Sequence, residues 1–183
     1  MILIGLTGRA RSGKSSAARG IMKAAEKNGL NAKIFELSDY VLADLKNDGL
    51  IPKSATREDL KDNVSLLVQR GMSRREENED YWIDLLRSDL QTYKPDVAII
   101  PNVRFQNEAF SIKAGFGYIV RVTALVKDGV SFISPDRDPN HVSEISTRDI
   151  EADYFLTAKK GHTKLLEKQA EALLNYLLGE AQN

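Results

Sequence analysis

The eight residues Gly8–Ser15, GRARSGKS, join an apolar run, MILIGLT, to an alanine-rich segment, SAARGIMKAAEK. The spacing Gly8-x-x-x-x-Gly13-Lys14-Ser15 meets every position of a phosphate-binding loop, and its flanks predict the strand before and helix after that such a loop needs. Each residue type has a physical task. The glycines let successive N–H groups turn toward one centre. The start of the helix adds N–H groups without intrahelical partners and a positive dipole end. The lysine is a mobile point charge for terminal phosphates, and the Ser15 hydroxyl is placed to ligate Mg²⁺. A chain built around this junction is expected to hold a nucleoside triphosphate, ATP with Mg²⁺, through Gly8, Arg11, Ser12, Gly13, Lys14, Ser15 and Ser16.

Hydrophobic periodicity extends this to a fold class. Strands are predicted at Ile2–Leu6, Ala32–Leu37, Asp96–Pro101, Tyr118–Leu125 and Tyr154–Ala158. Between them lie helices at Ser15–Asn28, Asp39–Asn47, Asn107–Ala114, a short one from Ser143, and a last one after His162. Thr56 is read as the cap of a further helix ending at Gly71, with another running from Ser73 toward Pro95. Most strands are uniformly apolar, which implies a parallel sheet covered on both faces. The 183 residues fit a single domain, 1–183. A helical insertion over about 52–94 and an atypical polar connection, with a lid over about 127–148, stand out within it.

Composition narrows the function. The 26 basic and 26 acidic side chains cancel, which argues against a general nucleic-acid-coating surface. With no cysteine, disulfides, thiolate metal sites and a cysteine nucleophile are excluded. No apolar run approaches the roughly 18 residues of a membrane span, and no signal-peptide pattern opens the chain, so a cytoplasmic protein is expected.

The guanine-selecting NKxD tetrapeptide is absent, with TAKK (Thr157–Lys160) after the last strand instead. This weakens a GTPase reading and leaves a small-molecule kinase, which needs cations for its acceptor and a cover against water. Arg74 and Arg75 open a helix in the insertion. Arg104 follows the DVAIIP strand, at the carboxyl edge where ligands bind in open parallel sheets. Arg137, His141 and Glu144 fall in the long connection. His141 is read as a hydrogen-bonding residue and not a metal ligand, and His162 as a surface residue. Tyr81, Trp82, Leu85 and Leu86 are read as core. The leucines at 165, 166, 173, 174, 177 and 178 are read as a helix face on the sheet, which could also support a homodimer.

The chain resembles the phage and bacterial deoxynucleoside monophosphate kinases of the P-loop kinase superfamily. The resemblance lies in the loop, LLVQRGMSRREENEDYWI, VAIIPNVRFQNEAFSIKAGFGYIVRV, DPNHVSEIS and ADYFLTAKKG, in that order. It implies a three-layer P-loop NTPase fold with a five-stranded parallel sheet in the order 2-3-1-4-5. It implies phosphorylation of a (deoxy)nucleoside monophosphate by ATP, with partners limited to these small molecules and no nucleic acid polymer or membrane. Lys14, Arg104 and Asp39 would be catalytic. Asp39, Arg74, Arg104 and Glu108 would hold the acceptor, and Arg137, His141 and Glu144 would form the lid. One departure is Asn102, where family members tend to carry an aspartate at the Mg²⁺ shell; here it could act through water. Two alternatives stay open: a kinase for another small acceptor of the phosphomevalonate or dephospho-coenzyme A type, or a nucleotide-binding regulatory protein with weakened catalysis.

Overall fold

The computed structural model describes residues 1–56, 58–60, 64–135, 138 and 140–180. Arg137 lies outside the described residues. The elements are β1 (Ile2–Thr7), α1 (Lys14–Lys27), β2 (Ala32–Ile34), α2 (Leu37–Asn47), α3 (Val64–Glu77), α4 (Tyr81–Tyr93), β3 (Val97–Val103), α5 (Gln106–Ala114), β4 (Tyr118–Leu125), α6 (Val142–Asp149), β5 (Tyr154–Lys159) and α7 (Thr163–Glu180). They fall into two compact units, one made of Met1–Ile34 with Lys94–Asn183, the other of Phe35–Tyr93.

The first unit holds the sheet. All four strand pairings are parallel, and the order is β2-β3-β1-β4-β5, as the resemblance implied. Side chains alternate across a strand, and β1 uses both faces. Ile4 and Leu6 point into a core built with Ile21, Ala24, Ala25, Leu166, Ala170 and Leu174 of α1 and α7. Leu3 is also buried, and α5 packs on β1 and β4 through Ile112 from the other side. The result is three layers with the central strands buried on both faces, which is why their sequences read as continuous apolar runs.

The leucine stripe of α7 packs into one core with α1 and the strands β1, β3, β4 and β5. Leu166, Leu173, Leu174 and Leu177 are buried, Leu178 packs against this core, and Leu165 is exposed. The helices approach closely because Gly20 has no side chain: a Cβ there would stand 2.2 Å from the Glu167 carbonyl oxygen. Along the edge strand β5, the Gln169 amide accepts from Thr157 N and donates to Thr157 O, at 3.2 and 3.1 Å. That contact occupies part of an edge that could otherwise pair with another chain.

The polar connection after β4 begins as a tight turn. Three residues, Lys127–Gly129, make the reversal, and within it Asp128 and Gly129 both have positive φ, 63° and 76°, a backbone that Asp and Gly tolerate. Val126 N donates to Val130 O and Phe132 N to Ala124 O, folding the chain back along β4.

In the second unit the helices differ from the sequence reading. Gly71 does not end a helix: α3 runs through it to Glu77, and the break comes at Asn78–Asp80. The Asn78 side chain accepts from Asp80 N at 3.0 Å, a local turn that competes with helix. Thr56 does form a reciprocal turn with Asp59, donating to Oδ2 from N and Oγ1 at 2.7 and 2.8 Å, but the described helix starts only at Val64. Trp82 is core, as expected, with Ile83 and Leu86 beside it, whereas Leu85 is exposed.

Asp44 organises the polar side of this unit. It accepts from Arg70, from Arg74 Nε and Nη2 at 3.2 Å each, and from the Tyr81 hydroxyl at 3.2 Å. Burial pushes the Asp44 carboxyl up, but the bonds from Arg74, Arg70 and Tyr81 outweigh it and hold the group below the ordinary carboxylate range. A carboxyl depressed in the folded state contributes stability above its unfolded pKa, near 4, and loses it as pH falls through the folded value. Stability is therefore expected to decline below about pH 4. Asp44→Asn should be less stable at pH 7 and show a flatter acid limb in urea titrations at pH 7 and pH 3.

Candidate functional site

The loop between β1 and α1 has the backbone its sequence demands. Gly8, Arg11 and Gly13 have φ of 134°, 56° and 106°, so the amides wrap one concavity instead of pairing along a strand. Gly13 begins α1 without a side-chain cap, which leaves the helix start open to an anion. Gly8 is tightly enclosed: a Cβ would stand 2.3 Å from the Val122 carbonyl oxygen. Gly8→Ala is therefore expected to cost about 2–3 kcal/mol from backbone strain and overpacking, lowering the melting temperature by roughly 5–10 °C for a chain of this size. A calorimetric scan measures it.

A cavity of about 390 Å³ opens above the loop, lined by Ala10, Arg11, Ser12, Gly13, Lys14, Ser15, Asn102 and Arg104. Three of these are cations and none is a carboxylate, the composition of an anion site. Lys14 is buried, its Nζ donating to Gly8 O and Arg9 O at 2.8 Å each. The Thr7 and Ser12 hydroxyls are buried and make no hydrogen bond among the described residues; such groups fit a polar ligand. Ser15 is exposed at the helix start, and Asn102 is half-buried on β3. A hydroxyl and an amide oxygen fit Mg²⁺ arriving with a nucleotide's phosphates, since the ion then keeps phosphate and water ligands. Ser16 is engaged from outside, its hydroxyl accepting from Arg19 at 2.9 Å.

Arg104 stands across the cavity, just beyond β3. Its Nη1 donates to Glu144 Oε1 at 2.6 Å and weakly to Ser143 O at 3.4 Å. Glu108, expected to hold the acceptor, is buried in the first turn of α5. Its Oε2 accepts from Arg104 N and Phe105 N at 2.6 and 3.2 Å. The observed task of Glu108 is thus to cap α5 and fix the backbone that carries Arg104.

Glu144, expected in a lid, is seated against the phosphate-binding loop: its Oε2 accepts from Ala10 N at 3.1 Å. Burial raises its carboxyl, but the bonds from Arg104 and Ala10 N–H, with the charges of Arg104 and Lys14, bring it below the usual range. His141 caps α6, its Nδ1 accepting from Ser143 N at 3.2 Å and lying 2.9 Å from Ser143 Oγ. His162 is exposed.

Asp39 and Arg74 belong to the second unit. Asp39 is exposed in the first turn of α2, where a helix favours an acid. Arg74 is bound to Asp44 and Asp48, donates to Glu77 Oε2 at 3.1 Å, and lies over the Tyr81 ring.

Lys160 was missed by sequence reasoning. Its Nζ donates to Arg11 O at 2.8 Å and lies 3.9 Å from the centre of the Phe132 ring. It holds the carbonyl of the one non-glycine residue with left-handed backbone in the loop. The only sequence signal was a lysine pair after the last strand.

No protein-family model matches the chain, and no curated protein matches it. Among solved structures, shikimate kinase from Aquifex aeolicus vf5 aligns over 97% of this chain and 99% of its own, with 15% identity and a TM-score of 0.46. The fold rests on the strand order and pairings given above, and no weight falls on this likeness. Among the described residues no helix is long and apolar enough to cross a membrane.

Proposed function

We propose that the chain is an ATP-dependent phosphotransferase whose acceptor is a deoxynucleoside monophosphate. The observation that carries this is the cavity itself, with a phosphate-binding loop and Lys14 on one wall, Arg104 on the other, and no carboxylate among its lining residues. The three cations on its lining support anion binding, and in this reading a triphosphate lies on the loop and a smaller anion toward Arg104. The monophosphate assignment comes from the sequence resemblance in VRFQNEA and HVSEIS.

In this reading the bond from the γ-phosphorus to the β,γ-bridging oxygen of ATP breaks, and a bond to an acceptor phosphate oxygen forms, giving ADP and a nucleoside diphosphate. That acceptor oxygen is already anionic near neutral pH, so no general base is needed. The loop amides hold the triphosphate, Lys14 neutralises charge on the transferring group, and Arg104 orients the acceptor; the work is positioning and electrostatics. Mg²⁺, carried in with ATP and met by Ser15, would supply further charge neutralisation. For Asp39 and Arg74 the acceptor role stays the one the resemblance implies.

A second reading is favoured by Asn102, which brings an amide to the position expected to hold a carboxylate: a nucleotide-binding protein with weak turnover. An ADP-release assay with the four deoxynucleoside monophosphates, and with phosphomevalonate and dephospho-coenzyme A, separates the readings. Arg104→Ala should raise the acceptor KM by about 10- to 100-fold, the worth of a charged hydrogen bond, and change the ATP KM far less. Equal effects on both would contradict the assignment.

A further inference from the structure

The carboxylate of Glu144 ties two walls of the cavity together. One oxygen takes the Arg104 guanidinium at 2.6 Å, and the other takes the N–H of Ala10 in the phosphate-binding loop at 3.1 Å. Both partners line the cavity, while Glu144 itself is only 7% exposed. The helix that carries it is fixed at its far end. Arg121 donates to Thr147 O at 2.9 Å and to Ile150 O, Gln106 donates to Asp149 O at 2.7 Å, and Thr147 and Ile150 are buried. The first turn of α6 thus meets the cavity through this carboxylate and the weak contact at Ser143 O, on a helix whose last turn is anchored.

We propose that Glu144 is an internal anion that competes with both ligands at once, so that donor and acceptor bind with positive coupling. The proposal rests on the phosphotransferase reading. An acceptor phosphate that takes Arg104 must draw the guanidinium from one carboxylate oxygen. A triphosphate that takes the Ala10 N–H must draw it from the other. Whichever ligand arrives first loosens the shared carboxylate, and the second then has less to displace. Because the two effects are one free energy, each ligand must sharpen the other's binding by the same factor. The charge on Glu144 acts in the same direction, since it opposes any anion entering beside it and its displacement removes that opposition.

Calorimetric titration with the β,γ-imido analogue of Mg·ATP, alone and with each of the four deoxynucleoside monophosphates, tests this in the intact chain. The wild type should show the analogue binding about fivefold or more tightly with a monophosphate present, the lower end of usual coupling, and the reciprocal titration should give the same factor. Glu144→Gln keeps the shape and removes the charge. It should bind each ligand alone more tightly than wild type, with the coupling reduced to within about twofold of none. A purely architectural Glu144 predicts the opposite sign, weaker binding of both ligands in the variant, and that result overturns the proposal. Wild-type binding of both ligands without coupling overturns it too, even if Glu144→Gln fails to fold, and leaves the phosphotransferase reading standing. No binding of the analogue to wild type overturns both.

Discussion

Lys14→Ala is expected to lower the rate of phosphoryl transfer by at least about 10²- to 10³-fold, the usual effect of removing one preorganised donor from a transition state. The structure explains why so much falls on one side chain. The residue is 6% exposed, and its ammonium is hydrogen-bonded to two carbonyls of its own loop. It therefore stands at the cavity wall with little reorganisation left to make. In the proposed transfer, charge develops on the phosphoryl oxygens as the bond to ADP lengthens, so the loss should appear in kcat more than in the ATP KM. Lys14→Arg should not rescue it, since a planar fork cannot replace a compact point charge in an enclosed loop. Circular dichroism checks that the variant remains folded. Retention of activity within a few-fold would remove Lys14 from the mechanism.

The second large effect is on stability. Trp82 is 1% exposed, its ring meets Tyr81 edge-to-face at 4.8 Å, and its Nε1–H donates to Gly71 O at 3.0 Å. Truncation to alanine empties a large volume in the unit that holds α2, α3 and α4, and the expected cost is about 3–5 kcal/mol. Trp82→Phe fills most of that space and loses the hydrogen bond, with an expected cost nearer 1 kcal/mol. Urea unfolding followed by far-ultraviolet circular dichroism measures both. Because Trp82 is the chain's single tryptophan, wild-type fluorescence reports on this unit directly. A Trp82→Ala protein as stable as wild type would contradict the packing described here.

The same residue shows where sequence reading stops. A glycine inside a helix costs about 1 kcal/mol relative to alanine, so Gly71 is a reasonable place to end one. The helix continues because α2, α3 and α4 pack together and the Gly71 carbonyl serves Trp82, eleven residues on. Tertiary packing overrode a local preference. The break that does occur had a legible signal in Asn78-x-Asp80, a pair able to close its own turn, and it went unread. At the centre of the sheet, by contrast, local pattern and tertiary demand agree. The central strands β1 and β3 are buried almost throughout, so their positions were plain, whereas β2, read as Ala32–Leu37, ends at Ile34 because this half-buried strand gives way to α2 at Leu37; the glycines of the loop are required by its backbone angles. Strand order was accessible only through resemblance, since periodicity carries no information on which strands are neighbours.

The site divides in the same way. Gly8, Gly13, Lys14 and Ser15 could be placed from spacing because the loop is contiguous. The joining of Arg104, Glu144 and Ala10 spans 40 and 134 residues, and no local pattern encodes such a meeting. Glu108 entered the site only through the resemblance; its contacts with Arg104 N and Phe105 N at the start of α5 depend on the folded turn.

The central claim is that this cavity transfers a phosphoryl group between two anions. Its most direct measurement is incubation of the purified chain with Mg·ATP and each deoxynucleoside monophosphate, with the products separated by anion-exchange chromatography. The account predicts ADP and a deoxynucleoside diphosphate in equal amounts from at least one acceptor. Absence of any diphosphate, with ATP left intact or hydrolysed to ADP and free phosphate, would contradict it.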